Sequence, residues 1–129
     1  MKMVRTLIVD DHAAVRKGIH DILQDYDSLE IVGEATDGRE AIQRARALRP
    51  DLIIMDVSMP QLDGLSASAE IKKFSPDTRI VMLSMFSNGP IVDRAKELGL
   101  DAYVSKGQSS TFLLDAIDSV MRNEPYFPA

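Results

Sequence analysis

Five short apolar runs alternate with five segments of helical periodicity, and this alternation is the strongest constraint on the fold. The runs are continuous and rich in β-branched residues, which is typical of strands buried on both faces of a sheet. Strand–helix pairs in this order predict an α/β, doubly wound (βα)5 domain with a parallel sheet and right-handed crossovers. The predicted strands are Val4–Val9, Glu30–Glu34, Leu52–Met55, Arg79–Leu83 and Ala102–Val104.

Turn-forming residues separate these elements. Asp37-Gly38, Asp63-Gly64 and Gly99 lie where one element should end and the next begin, as expected for residues that favour turns and helix ends. The segment Asn123–Ala129 (NEPYFPA) cannot continue the last helix. We therefore expect one folded domain over residues 1–122 and, over residues 123–129, a tail or the start of a linker.

Composition argues against several classes of function. The chain of 129 residues carries a net charge of −5, which suits nucleic acid poorly because that binding relies on Lys and Arg contacts to phosphates. It has no cysteine, which excludes disulfides, thiolate catalysis and cysteine-bound metals. No apolar stretch could span a bilayer, and the N-terminus leads into a predicted strand and not a signal peptide. This pattern favours a cytoplasmic protein.

Polar residues stand at the ends of four predicted strands. In a parallel sheet the carboxyl ends of the strands meet along one edge, where ligands bind. Three carboxylates, a hydroxyl and an ammonium at that edge indicate a site for a divalent cation and a phosphoryl group. The residues are Asp10, Asp11, Asp56, Ser84 and Lys106.

The acid cluster suits magnesium. Two carboxylates about 4 Å apart repel by about 4 kcal/mol at an effective dielectric near 20, so the cluster needs a cation or raised pKa values. Mg²⁺ prefers oxygen ligands and is usually held by one or two carboxylates plus a phosphate oxygen. In the plainer interpretation, Asp10 and Asp11 only cap the helix that begins near His12.

Asp56 could act as a nucleophile, because an aspartate can attack phosphorus and form an aspartyl phosphate. The metal and Lys106 would offset the charge that accumulates, and Ser84 could donate a hydrogen bond to a phosphoryl oxygen. Each residue taken alone also has an ordinary interpretation. Asp56 could be a turn residue, Ser84 a serine after a strand, Lys106 a solvated loop residue and Tyr103 a packing residue with a polar tip.

Taken together, the spaced motifs resemble the receiver domain of bacterial two-component response regulators, the CheY-like family. The resemblance covers nearly the whole chain and rests on LIVDDH, DLIIMDVSMPQLDG, IVMLSMF and AYVSKG. It implies a flavodoxin-like (CheY-like) fold with a five-stranded parallel sheet in the order 2-1-3-4-5. It also implies a signalling switch that is not an enzyme, apart from self-phosphorylation by small phosphodonors and slow dephosphorylation.

The resemblance assigns roles to individual residues. Asp56 would receive a phosphoryl group from a sensor histidine kinase. Asp11, Asp56 and the backbone carbonyl of Ser58 would bind Mg²⁺, with Asp10 supporting the site partly through water.

Three further positions match the family pattern. Ser84 and Tyr103 correspond to the conformational switch pair, and Lys106 corresponds to the family's lysine. On phosphorylation Ser84 would move toward the phosphoryl group, and Tyr103 would fill the space that it leaves. The changed surface could then bind a partner, including a second copy of the chain.

The DDH start, the VGEATDG segment and Lys106-Gly107 resemble the NarL/LuxR branch. Regulators of that branch usually carry a C-terminal helix-turn-helix domain, so DNA would be bound by a domain outside this chain and not by the receiver. We expect a fragment of a longer transcription regulator, with a stand-alone receiver as the second option.

Three other classes of protein are alternatives to the receiver domain, and the sequence argues against two of them. A haloacid-dehalogenase-like phosphohydrolase needs a second acid two residues after the nucleophile, and position 58 is Ser. A flavin carrier of flavodoxin type would need a Gly/Ser/Thr-rich phosphate loop after the first strand, and none follows it in this sequence. We therefore expect no organic cofactor. A receiver-like interaction module that works without phosphorylation stays open.

Overall fold

A computed structural model describes residues 3–57, 63–84, 89–106 and 110–127. Strands and helices alternate without exception within these residues. Their order along the chain is β1 (Val4–Val9), α1 (Ala13–Leu23), β2 (Leu29–Ala35), α2 (Gly38–Leu48), β3 (Leu52–Asp56), α3 (Gly64–Phe74), β4 (Arg79–Ser84), α4 (Gly89–Glu97), β5 (Ala102–Ser105) and α5 (Ser110–Met121).

The five strands form one parallel sheet in the order β2-β1-β3-β4-β5. The predicted flavodoxin-like topology is therefore confirmed. All five predicted strands exist, and β1 has the predicted bounds. The other strands are longer than predicted, and two of the extensions bear on function, because Asp56 and Ser84 are the last residues of β3 and β4.

Helices cover both faces of the sheet, as continuous apolar strands require. One face packs against α2, α3 and α4, and the other against α1 and α5. Helix residues in the first core are Ala41, Ala45, Ala67, Ile71, Val92 and Ala95. Those in the second are Ile19, Leu23, Leu113, Ala116, Ile117 and Val120.

Short polar side chains begin two of the helices. The Asp37 carboxylate accepts a hydrogen bond from the Glu40 N–H (2.8 Å) at the start of α2. Asp63 caps α3 in the same way through the Ser66 N–H (2.8 Å). These caps satisfy backbone donors that have no partner within the helix, and they confirm the predicted boundaries at both Asp-Gly pairs.

The chain turns back after α5 and runs along the open edge of β5. Asn123 has a left-handed backbone (φ 61°), and its side-chain oxygen accepts a hydrogen bond from the Arg79 guanidinium. The Tyr103 N–H then donates to the Tyr126 carbonyl (2.9 Å), and the Tyr126 N–H donates to the Asp101 carbonyl (3.1 Å). This segment gives β5 a partner on its outer side, where an edge strand would otherwise expose unpaired backbone groups.

Phe127 anchors this segment. It is partly buried against the core that includes Tyr103, and the Lys96 ammonium lies 5.3 Å from the centre of its ring, within the range of a cation–π contact. The domain boundary predicted after residue 122 stays a prediction. None of the helices among the described residues is long and apolar enough to cross a membrane.

We expect Phe127→Ala to lower the free energy of unfolding by about 1–2 kcal/mol, since a partly buried ring and its contact with Lys96 are lost. Phe112→Ala is the matched control because Phe112 is 40% exposed on α5. Urea denaturation of both variants measures the effect. Equal losses in the two variants would mean that Phe127 does not anchor the C-terminal segment.

Candidate functional site

Strand register brings the predicted site residues to one edge of the sheet. Asp56 pairs with Leu83, and Ser84 pairs with Ser105. On the other side of β3, Val9 pairs with Met55. Asp10, Asp56, Ser84 and Lys106 are therefore neighbours across four adjacent strands, although they come from distant parts of the sequence.

Lys106 joins two of the acids. Its Nζ lies 2.7 Å from Asp10 Oδ2 and 3.0 Å from Asp56 Oδ1. The Asp10 side chain is completely buried, and that of Asp56 nearly so. Buried charges are costly unless they are paired and hydrogen-bonded. The ammonium supplies that pairing and brings the two carboxyl groups together at one place.

The pKa of Lys106 is raised above its ordinary value of 10.5. Burial is the largest single influence and lowers this pKa, but hydrogen bonds and charge attraction from Asp10 and Asp56 together outweigh it. Lys106 is therefore an ammonium ion throughout the physiological range. It presents a fixed positive charge beside the Asp56 carboxylate.

Asp10 and Asp11 differ in their surroundings. Both oxygens of Asp10 are engaged, because Oδ1 accepts a hydrogen bond from the His12 N–H (2.9 Å) and Oδ2 contacts Lys106. Asp11 Oδ1 is buried and has no hydrogen-bond partner among the described residues. His12 Nδ1 lies 3.0 Å from it but outside hydrogen-bond geometry. The plainer interpretation, that Asp10 and Asp11 cap α1, is wrong, because the N-cap residue of α1 is His12; the Asp10 carboxylate instead holds the turn before the helix through the His12 N–H.

The acids fit a divalent cation. A buried carboxylate oxygen without a donor is the kind of group that a cation satisfies, and carboxylates are ligands that Mg²⁺ prefers. Ligand atoms of Asp10, Asp11 and His12 lie within 4.8 Å of one another. Sequence analysis gave His12 no role here. Ser58, whose carbonyl is the remaining predicted ligand, lies outside the described residues.

Gly64 is a site residue that sequence analysis treated only as part of a turn. Its N–H donates to the Val57 carbonyl (2.8 Å), and a Cβ at this position would lie 1.9 Å from the Asp56 carbonyl oxygen. Only glycine lets the start of α3 approach the end of β3 so closely. The Asp63-Gly64 pair was visible in the sequence, but nothing there showed that it touches Asp56.

Ser84 and Tyr103 occupy the same face of the sheet. Tyr103 pairs with Met82, two residues before Ser84 on β4, and strand residues two apart point to the same side. Both side chains are buried, with Tyr103 only 1% exposed in the core beneath α4. By the same alternation, Asp56 points toward the opposite face of the sheet. The switch role of this pair stays a prediction.

The structure is thus a five-stranded parallel domain with an acid pair, a buried aspartate and a lysine at the carboxyl edge of its sheet. The chain belongs to the response regulator receiver domain family, whose model matches residues 6–118. Receiver domains of two-component response regulators are phosphorylation-based switches, and they generally bind Mg²⁺ at this acidic pocket. The predicted resemblance is thereby confirmed.

The relatives are response regulators. The chain is 40% identical over 124 residues to the response regulator protein VraR of Staphylococcus epidermidis, and the match covers 96% of this chain and 59% of VraR. VraR of Staphylococcus aureus is equally similar. The chain therefore spans about three-fifths of the length of these curated relatives.

Solved structures show the same likeness. A LuxR-family two-component response regulator from Aurantimonas sp. SI85-9A1 superposes with a TM-score of 0.92 at 28% identity, covering 97% of this chain and 89% of that one. The isolated receiver domain of RcsB from Salmonella enterica serovar Typhimurium, in the presence of the phosphomimetic BeF3−, gives a TM-score of 0.91 at 28% identity, with coverage of 98% and 94%. The predicted likeness to the NarL/LuxR branch is thus confirmed.

We expect Gly64→Ala to lower the free energy of unfolding by about 1–3 kcal/mol, because the methyl group must displace the backbone at Asp56. Gly18→Ala is the control, since a Cβ at Gly18 in α1 would have no neighbour within 4 Å. That change should stabilise the helix by about 0.5–1 kcal/mol. Chemical denaturation compares the two variants. A Gly64→Ala protein as stable as the parent would contradict the close approach.

We expect Lys106→Met to lower the free energy of unfolding by about 3–5 kcal/mol at neutral pH without magnesium, because Asp10 is left buried and unpaired. A lysine whose pKa is raised by folding stabilises fully below its unfolded pKa, near 10.5. That contribution is lost as the pH rises through the higher folded pKa. The difference between parent and variant should therefore shrink only above about pH 10.5.

Denaturation of both proteins from pH 7 to pH 12 measures this difference. Lys17→Met is the control, because Lys17 is an exposed lysine on α1. A difference that already disappears between pH 7 and pH 9 would contradict a raised pKa for Lys106.

Proposed function

We propose that Asp56 accepts a phosphoryl group from a sensor histidine kinase and that this modification switches the domain to a partner-binding form. The contact that carries the proposal is the Lys106 ammonium held between Asp10 Oδ2 and Asp56 Oδ1. It places a positive charge where negative charge would accumulate during transfer. Phosphoryl transfer depends mainly on such positioning and electrostatic stabilisation.

The transfer would break the phosphorus–nitrogen bond of a phosphohistidine on the kinase and form a phosphorus–oxygen bond to the Asp56 carboxylate. The departing imidazole would keep the bonding electrons and take up a proton. Lys106 would balance the charge of the phosphoryl group beside Asp56. Hydrolysis would later release inorganic phosphate, so the domain catalyses only its own phosphorylation from phosphodonors and its slow dephosphorylation.

Asp11, Asp56 and the backbone carbonyl of Ser58 would hold Mg²⁺. The buried oxygen of Asp11 supports this assignment, because it has no hydrogen-bond partner among the described residues. Asp10 would support the site without being its main ligand, since both of its oxygens are engaged by His12 and Lys106. When bound, Mg²⁺ supplies positive charge that offsets the charge of the carboxylates and the phosphoryl oxygens.

The switch would act through Ser84 and Tyr103. Phosphorylation adds charge and acceptor oxygens at Asp56, and the Ser84 hydroxyl would move toward them. Tyr103 would follow on the same face of the sheet and alter the packing of α4, β5 and α5. The equilibrium between two surfaces would then favour the one that binds a partner, such as a second copy of the chain.

The output would be control of transcription. VraR is longer than this chain, and the Aurantimonas protein is a LuxR-family response regulator. We propose that DNA is bound by an output domain outside this chain, because the receiver itself is acidic. The kinase and the receiver would meet in the cytoplasm.

Intact-mass spectrometry with Mg²⁺ and acetyl phosphate tests the proposal. We expect the parent to gain the mass of one phosphoryl group, because the carboxylate, the lysine and the acid pair lie together. Asp56→Asn should gain none. Asp115→Asn is the matched control, since Asp115 is an exposed aspartate on α5 and its loss should leave phosphorylation unchanged.

Omission of Mg²⁺ should also prevent the gain in mass. Acid-quenched samples at short times distinguish rapid hydrolysis from failure to react. A parent that gains no phosphoryl group at any time would favour the alternative of an interaction module that works without phosphorylation. A gain in mass that persists in Asp56→Asn would show that the acceptor is another residue.

A further inference from the structure

Arg16 of α1 connects the acid pair to the neighbouring strand β2. One terminal nitrogen of its guanidinium donates to the backbone carbonyl of Asp10 (2.8 Å). Its Nε donates to Glu34 Oε1 (2.7 Å). The Arg16 side chain is only 18% exposed, so these contacts occupy a side chain that is largely shielded from water.

The carbonyl that Arg16 binds belongs to the peptide bond between Asp10 and Asp11. That peptide follows β1 directly, and Asp10 is already held by Lys106 and at two further points. The Asp10 N–H donates to the Ala35 carbonyl (3.1 Å), and its side chain accepts from the His12 N–H. Because a peptide unit is planar, fixing this carbonyl also fixes the direction in which the chain leaves toward Asp11.

Glu34 and His20 hold Arg16 in place. Glu34 uses one oxygen for Arg16, and its other oxygen lies 2.9 Å from His20 Nε2. Burial is the largest single influence on the pKa of Glu34 and raises it, but the hydrogen bonds and charges of His20 and Arg16 together lower it. Glu34 is therefore a carboxylate that orients the guanidinium. Without it, Arg16 could turn toward the acids of the site.

We propose that Arg16, oriented by Glu34 and His20, is a positioning residue that aims the Asp11 carboxylate and so sets the affinity of the site for Mg²⁺. The inference rests on the proposed function only in taking Asp11 as a magnesium ligand. Among the described contacts, the Arg16 guanidinium binds the Asp10 backbone carbonyl and the Glu34 carboxylate, so Arg16 would act on Mg²⁺ only through Asp11. Groups behind metal ligands commonly set metal affinity by orienting those ligands.

The arrangement gives a physical role to Arg16 and Glu34, which lie in or shortly after two segments that mark the resemblance to the NarL/LuxR branch. Arg16 follows the DDH start in DDHAAVR, and Glu34 lies in VGEATDG. They are far apart in the sequence and on different elements. Pairing of β2 with β1 brings Glu34 opposite Ile8, close to the end of β1, where Arg16 can reach both Glu34 and the Asp10 carbonyl.

Isothermal titration calorimetry of the full chain with MgCl₂ tests the role of Arg16. We expect Arg16→Gln to raise the Mg²⁺ dissociation constant by about tenfold or more. Arg16→Lys should recover only part of the affinity, because one ammonium cannot replace two separate guanidinium contacts. Arg44→Gln is the matched control, since Arg44 is exposed on α2 and far from these contacts in the chain.

Glu34→Gln provides a milder test, because glutamine can still accept a hydrogen bond. It should weaken Mg²⁺ binding less than Arg16→Gln does, and Glu30→Gln on the same strand should have no effect. If Glu34 acts through Arg16, the variant that combines Arg16→Gln with Glu34→Gln should bind Mg²⁺ no more weakly than Arg16→Gln alone. Denaturation of each variant separates changes in affinity from changes in folding.

The result that overturns the inference is an unchanged dissociation constant in folded Arg16→Gln and Glu34→Gln proteins, even if both are less stable. The intact-mass assay on the parent judges the proposed function separately. A parent that binds Mg²⁺ without accepting a phosphoryl group would refute the proposed function, and the variants' affinities would still decide the role of Arg16. A parent that binds no Mg²⁺ would overturn both.

Discussion

The contact on which the site depends is the Lys106 ammonium between the buried carboxylates of Asp10 and Asp56. Without a cation, two such carboxylates would repel each other, and burial would favour their protonation. Burial lowers the pKa of Lys106, but the two acids raise it by more. The positive charge of Lys106 therefore persists at physiological pH. Asp56 therefore has a cation beside it in a nearly dry position, which is what the proposed phosphoryl acceptor would need.

Backbone contacts around Asp56 and Asp10 make this pairing possible. Parallel register brings the ends of β1, β3, β4 and β5 level with one another. Gly64 allows α3 to begin against the Asp56 carbonyl, where any Cβ would collide. Arg16 holds the Asp10 carbonyl from α1. The site is therefore held by elements on both faces of the sheet. Among the residues that the structure describes, the buried carboxylate oxygen without a hydrogen-bond partner belongs to Asp11.

Sequence analysis succeeded where the information is local in the chain. The period of the apolar residues predicted five strands, and the Asp-Gly pairs predicted the starts of α2 and α3. It ended β3 before Asp56 and β4 before Ser84, because polarity looked like the end of a strand. Both residues in fact close their strands. It also left Arg16, Glu34 and Gly64 without a role in the site, since their contacts depend on how the helices pack against the strands.

The sequence by itself determined the order of the elements, the parallel sheet and the chemical types at its carboxyl edge, because these follow from periodicity and from the residues that end each apolar run. Only the tertiary structure decided which acids pair with Lys106, which oxygen of Asp11 lacks a donor, and how Tyr126 covers the edge of β5. Those facts depend on strand register and on distances between elements. Packing sets both, and it joins residues whose separation along the chain carries no signal of their contact.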